Sequence, residues 1–290
     1  MSGLPNITIL TPTYNRKNVF KLAILNYLNI DYPRDNIEWI ILDDSNEPMN
    51  DIIPNEKNIR YIYFSKEDKE ALYRKFCEKY KKNPPRKSKQ KKINSYHTPF
   101  FKDDRIPLGL KLNLGVKSAS NNLILHMFDD CLYPPKSVYN RVATVVEHDS
   151  RCLGCLAYAT FDTKLMVSMV NRSEANGVSK INMATLGYTR DFWLKQKFND
   201  QEVNEDIRAF VKNREFDVKV LPGEDMIVKL YHIENRPMNL TAENYPEPNG
   251  WHFNPIPDNL FLFITEFDDR LALNSKKEAN IKEDVKEITN

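Results

Sequence analysis

Asn122-Leu-Ile-Leu-His-Met-Phe-Asp129-Asp130-Cys-Leu-Tyr-Pro134-Pro135 is the stretch that decides the fold. Residues 123–128 are short, apolar and rich in strand formers, so they read as a buried strand. Pro134 and Pro135 stop extended pairing, and residues 136–147 resume with helical spacing through Val138, Val142, Val145 and Val146. Two carboxylates thus stand at the carboxyl end of a core strand, where open α/β sheets bind ligands. Side by side they need a cation, hydrogen-bond donors or a shifted pKa. A divalent metal is one solution, because hard cations take oxygen ligands. A pair that only caps the following helix is the other.

A second acidic pair favours the ligand site. Residues 37–42 (Ile-Glu-Trp-Ile-Ile-Leu) form another apolar strand candidate, ending in Asp43-Asp44 and then Ser45-Asn46. A third, residues 6–10, runs into Thr11-Pro12-Thr13-Tyr14-Asn15-Arg16. Three strands that deliver polar residues at their carboxyl ends predict a site along one edge of a sheet.

Further elements extend the alternation. Val19, Phe20, Ala23, Ile24, Tyr27 and Leu28 share a helical face, residues 59–64 read as a strand, and residues 65–82 read as a helix capped by Ser65. Residues 108–115 open a helix leading back to the Asp129-Asp130 strand. Strand–helix alternation predicts a largely parallel sheet with crossover helices. The second half is less regular. Residues 152–161 and 164–170 are strand candidates, 190–197 and 201–213 look helical, and 218–221 lead into a third acidic pair, Glu224-Asp225. Residues 260–273 read as a closing helix.

The bulk numbers narrow the class. A chain of 290 residues suffices for one large α/β domain with an appended lobe. A formal charge of +2, from 42 basic and 40 acidic residues, gives no reason to expect a nucleic-acid partner. The basic run at residues 86–92 has no interleaved aromatics and reads as a solvated loop. No apolar run approaches the ~18 residues of a membrane span, so no integral membrane segment is expected. The N-terminus lacks a secretory pattern, and four cysteines in a chain this long suit a reducing compartment. A cytoplasmic location is therefore expected. Cys152 and Cys155 form a lone Cys-x-x-Cys with no second pair, which favours buried free thiols over a zinc site.

Several chemistries fail on absence. The sequence has no Gly-x-Gly-x-x-Gly after a strand, no P-loop, no Gly-x-Ser-x-Gly elbow and no His-Glu-x-x-His pattern. With 8 glycines in all, a diphosphate would be handled by a bound cation rather than by a glycine-rich loop.

Taken together, Thr11-Pro-Thr-Tyr-Asn-Arg16, Ile41-Leu-Asp-Asp-Ser45, Lys111-Leu-Asn113, His126-Met-Phe-Asp-Asp-Cys-Leu-Tyr-Pro-Pro135 and Glu224-Asp225 resemble the family 2 inverting glycosyltransferases. The resemblance implies a GT-A (Rossmann-like) fold: a mostly parallel α/β sheet with helices on both faces and a smaller C-terminal acceptor lobe. It divides the chain into a nucleotide-sugar half at 1–135, with a basic loop insertion at 83–107, an acceptor and catalytic-base half at 136–274, and a charged tail at 275–290. It implies transfer of a sugar from a nucleoside-diphosphate donor, a UDP-sugar by preference, to a hydroxyl of a glycan, lipid-linked or protein acceptor. Thr11, Pro12, Thr13, Tyr14, Asn15 and Arg16 would line the nucleotide pocket, and Asp43-Asp44 would offer a carboxylate to the base. Lys111 and Asn113 would lie near the nucleotide-sugar. Asp129 would approach the ribose or the metal, and Asp130 would hold Mn2+ or Mg2+. Asp225, with Glu224 beside it, would be the general base.

Acceptor candidates are Tyr188, Trp193, Trp251 and His252, because sugars stack on aromatic faces; Trp193 and Trp251 read equally as core residues. His232 is a candidate for completing the metal shell. Phe128, Cys131 and Leu112 stand where that family more often has charged residues, which leaves a second reading open: a GT-A protein that binds glycan or nucleotide without turnover.

Overall fold

Strand β1 (Ile7–Thr13) is buried at every residue, so both of its faces must be covered. The computed structural model that shows how describes residues 3–82, 105–165, 167–172, 177–200, 207–223, 226–232 and 262. Side chains alternate between the faces of a strand, and each face of β1 meets a different helix. On one face, Trp39 of the parallel strand β2 (Ile37–Asp43) pairs with Ile9 of β1. Its indole stacks on Phe20 and Tyr27 of helix α1 (Lys17–Leu28), with ring centroids 6.0 and 4.4 Å away. Its N–H donates to Thr11 Oγ1 at 2.8 Å, so the buried polar atom of a large apolar side chain is satisfied.

On the other face, Leu10 and Leu42 press against Gly115, past the middle of the helix that follows residue 107. A Cβ at Gly115 would meet Leu42 Cδ1 at 2.7 Å, so glycine lets that helix lie close to the sheet.

The sheet is built outward and then reversed. From β1 the chain goes to β2 and to β3 (Ile59–Tyr63), then enters helix α2 (Lys66–Lys82). A reciprocal capping box starts α2: Ser65 Oγ accepts from Asp68 N–H, and the Asp68 carboxylate accepts from Ser65 N–H. Helix α3 (Leu108–Ser118) then returns the chain to the far side of β1, where β4 (Leu123–His126) runs parallel to it. This reversal is a topological switch point, and the crevice beyond the strand ends there is where α/β sheets bind ligands.

The register opens that crevice. Pairing of β1 with β2 continues to Thr13 opposite Asp43. Pairing with β4 stops at Leu10 opposite His126, closed by a 3.0 Å bond from Met127 N–H to the Leu10 carbonyl. Leu10 addresses β4, so Pro12, two residues on, faces the open side and its missing N–H removes no ladder bond. The strand was expected to end at residue 10; it runs three residues further for this reason.

Beyond β4 come β5 (Cys131–Leu132), helix α4 (Ser137–His148), β6 (Cys152–Cys155), β7 (Ala157–Asp162) and β8 (Val167–Arg172). Strand β9 (Gly187–Thr189), helices α5 (Arg190–Lys195) and α6 (Arg208–Val211), β10 (Val218–Leu221) and β11 (Val228–Tyr231) complete the described elements. Among the described residues one sheet has the order β10-β6-β9-β4-β1-β2-β3, parallel except for β9. A second sheet has the order β5-β11-β7-β8.

Two sequence expectations change here. The segment 152–161 divides into β6 and β7, which belong to different sheets. The helix expected at 201–213 is seen as α6 alone; residues 201–206 lie outside the described residues, as do 83–104 and, but for Leu262, 233–290. Cys152 and Cys155 are buried free thiols, and burial pushes their pKa values up to about 12 and about 11. Among the described residues no helix is long and apolar enough to cross a membrane.

Candidate active site

Asp129 and Asp130 stand on the turn between β4 and β5, and that turn is held from three sides. Phe128 N–H donates to the Tyr133 hydroxyl at 2.8 Å, and the same hydroxyl donates to the Ala184 carbonyl at 2.9 Å. Asn26 of α1 clasps the other end, its amide N donating to the Cys131 carbonyl at 2.8 Å and its Oδ1 accepting from Tyr133 N–H at 3.1 Å. Strand β11 closes the third side through a 3.2 Å bond from Leu230 N–H to the Asp130 carbonyl. Tyr133 and Asn26 are thus positioning residues for the acidic pair. Sequence reasoning did not single them out, although an asparagine on the apolar stripe of α1 is a legible signal.

Across the crevice, the Arg16 guanidinium reaches from the end of β1. One of its nitrogens lies 3.1 Å from Asp129 Oδ1 and 3.3 Å from Asp130 Oδ2. Burial pushes the Asp129 carboxyl above the usual range; Arg16 opposes this shift and the Asp130 charge adds to it. Thr13 is near enough to favour the charged form of Asp129, yet Thr13 Oγ1 and Asp129 Oδ2 are buried with no hydrogen-bond partner of ordinary geometry. Orphaned buried acceptors typically cost about 1–3 kcal/mol each. Two carboxylates and a hydroxyl, all hard oxygen donors and two with uncommitted buried oxygens, suit a divalent cation whose shell is completed by water and phosphate oxygens. Among the described residues no three His, Cys, Asp or Glu side chains gather to hold a metal. His232, buried just after β11, therefore does not complete such a set with Asp129 and Asp130.

The first acidic pair lies on the β2 side of the same crevice, with Asp43 opposite Thr13. Asp43 accepts from Ser45 N–H at 2.8 Å and from the Tyr61 hydroxyl at 2.5 Å. Asp44 accepts from Ile106 N–H and from Lys111 Nζ, which also donates to the Thr13 carbonyl at 2.9 Å. Lys69 Nζ donates to the Asp44 carbonyl at 2.8 Å. Lys111 thus ties β1 to β2 behind the crevice. Asn15 has a left-handed backbone (φ 50°), and its N–H and side-chain oxygen bond to Ser45 and Asn46, which joins the two loops. Tyr14 is half-buried, with the Arg105 guanidinium 4.3 Å from its ring centroid.

Three candidate residues bond or pack within the protein. Asn113 donates to the Phe198 carbonyl and to Asp200, and accepts from the Trp193 indole N–H and from Phe198 N–H. Its two donors and two acceptor sites are all used here, so it braces α3 against the second half. Trp193, 2% exposed, is committed to that bond and to the core. Tyr188, fully buried, packs edge-on against His126 and Phe210, so neither aromatic presents a face to an acceptor. Trp251, His252, Glu224 and Asp225 lie outside the described residues.

Behind the turn, His126 is fully buried between the Met183 carbonyl at 2.9 Å and the Tyr188 hydroxyl at 3.0 Å, a neutral ring that donates from Nδ1. Burial holds its pKa down at about 3, opposed by the Met183 bond and aided by Arg141. The unfolded chain takes up this proton near pH 6.5 and the folded one near 3. The stability from its neutral form is therefore complete above pH 6.5 and is lost as pH falls toward 3. His126→Gln should flatten the acid limb of a melting-temperature profile between pH 4 and 7. An unchanged acid limb would show that other groups set it.

No family model matches the sequence, and no curated protein does. In structure the chain is similar to S. aureus TarS 1–349, at a TM-score of 0.51 and 14% identity over 78% of this chain and 60% of that one. The same fragment in complex with UDP gives 0.50 and 14%, over 79% and 62%. The mannosyltransferase PcManGT from Pyrobaculum calidifontis, in complex with GDP-Man and Mn2+, gives 0.50 and 12%, over 82% and 59%. The fold is GT-A. The likeness is one of fold at these identities, and the chain spans only about three-fifths of those structures.

Proposed function

We propose that this protein is a metal-assisted, inverting glycosyltransferase of family 2 that acts in the cytoplasm. Its donor would be a nucleoside-diphosphate sugar, by preference a UDP-sugar, and its acceptor a hydroxyl of a glycan, lipid-linked or protein substrate. The observation that carries the reading is the meeting of Thr13 and Arg16 with Asp129 and Asp130 across a switch-point crevice. The UDP and the GDP-Man with Mn2+ bound by proteins of similar fold support it.

On this reading residues 1–135 carry the donor site and 136–274 the acceptor and base. Asp129, Asp130 and the Thr13 hydroxyl would hold Mn2+ or Mg2+, which, when bound, offsets diphosphate charge and stabilises the leaving nucleotide. Tyr14, backed by Arg105, would offer a ring for the base to stack on, and Asp43 would accept from the base. Arg16 would meet the phosphates. Asp225, assigned by its motif with Glu224 beside it, takes the acceptor proton as that oxygen attacks the anomeric carbon. The bond to the diphosphate breaks on the opposite face, so the configuration inverts. General-base help of this kind is typically worth ~10²–10⁴-fold.

The test is nucleotide release by purified protein with Mn2+ and a panel of UDP- and GDP-sugars. Turnover of at least one donor is expected. Metal-independent UDP binding without turnover of any donor would favour the binding-protein reading, for which the buried neutral residues Phe128, Cys131 and Leu112 are the motive.

A further inference from the structure

We infer that Arg16 is a stand-in cation: it holds the acidic pair together in the metal-free protein, and the divalent ion displaces it onto the donor diphosphate. The inference rests on the donor-site reading above. A single guanidinium nitrogen bridges the two carboxylates, so one positive charge faces two negative ones. The match is incomplete, since Asp129 Oδ2 and Thr13 Oγ1, although close to each other, stay buried with no partner of ordinary hydrogen-bond geometry. A side chain that belonged there permanently would be expected to satisfy them. The Arg16 side chain is 32% exposed, whereas those of Asp129 and Asp130 are 4% and 7% exposed, so the arginine is the solvent-facing member of the cluster.

Its backbone does not need to move. The Arg16 carbonyl accepts from Phe20 N–H at 2.7 Å at the start of α1, so the pivot is fixed and only the side chain swings. From there the guanidinium stays at the crevice mouth, and its planar fork suits phosphate oxygens. Asp129 and Asp130 then exchange a monovalent partner for a divalent one, and the released arginine gains a dianionic one. No charge is left bare at any stage.

This predicts two shifts of opposite sign in Arg16→Met, which keeps the length and removes the charge. Calorimetric titration of Mn2+ alone should show roughly tenfold tighter binding than wild type, because the competitor is gone. Titration of UDP at saturating Mn2+ should show roughly tenfold weaker binding. Arg16→Lys, which keeps the charge, should restore most of the UDP affinity. If Arg16→Met binds Mn2+ no more tightly than wild type while wild type binds Mn2+ and UDP, the displacement is overturned and the donor reading stands. If wild type binds neither, both fall. A circular-dichroism melt of Arg16→Met identifies an unfolded variant, and Arg16→Gln then repeats the Mn2+ titration.

Discussion

Asp130→Asn should abolish sugar transfer while leaving the fold intact. Asp130 is buried on a turn whose backbone is fixed by Tyr133, Asn26 and Leu230, none of which bonds to its carboxylate. Asparagine keeps the shape and removes the charge that a divalent ion needs. The loss of metal assistance, worth several kcal/mol at about 1.4 kcal/mol per decade, should lower turnover by at least a hundredfold. The melting temperature should stay level or rise, since the substitution removes one of two adjacent like charges. Nucleotide release with Mn2+ and thermal melts, run in parallel, check both halves. Wild-type turnover in Asp130→Asn would remove Asp130 from the metal site.

Gly223→Ala should be the most disruptive single methyl group in the second half. A Cβ at Gly223 would fall on the Ala157 carbonyl oxygen at the start of β7, a backbone atom that cannot rotate away. Either β7 or the 222–223 segment must shift. The neighbouring anchors leave little slack, because Met226 N–H bonds to the Gly223 carbonyl at 3.2 Å and the Met226 carbonyl accepts from Ser137 at 2.6 Å. Overpacking of this kind typically costs about 1–3 kcal/mol. Glu224 and Asp225 follow directly in the chain, and a misplacement of ~1 Å can cost ~10²-fold in rate. Both a lower melting temperature and a turnover reduced by about two orders of magnitude are expected. An alanine variant with wild-type stability would contradict the close approach.

What could be read in the sequence followed physical signal strength. Residues 37–42 and 123–128 are apolar runs that end in acidic pairs; the first lies in β2, and the second supplies β4, which stops two residues sooner at His126. The Ser65 cap announced α2 through a box of local hydrogen bonds that needs no tertiary context. Strand β9 escaped because three residues carry no periodicity; its place between β4 and β6 is fixed by distant partners.

The same distinction divides the site. Asp129-Asp130 was legible because charge at the end of an apolar strand demands explanation. The bracing bonds of Asn113 left no local trace, since its partners Trp193, Phe198 and Asp200 come from 80 or more residues away. Tyr188 and Trp193 are buried for a related reason: an aromatic that can stack on sugar is equally an aromatic that fills a core. Asp43 pairs opposite Thr13 at the end of β2, but the bonds of Asp43 and Asp44 to Tyr61, Lys111 and Ile106 are long-range and had no trace in the local pattern.

The most direct measurement is a crystal structure of the protein with UDP and Mn2+. It should place the cation against Asp129 and Asp130, the diphosphate between that ion and the displaced Arg16, and the uracil beside Tyr14. A nucleotide bound away from the β1–β4 crevice, or one bound there with Arg16 still bridging the two aspartates and no ion present, would contradict the account.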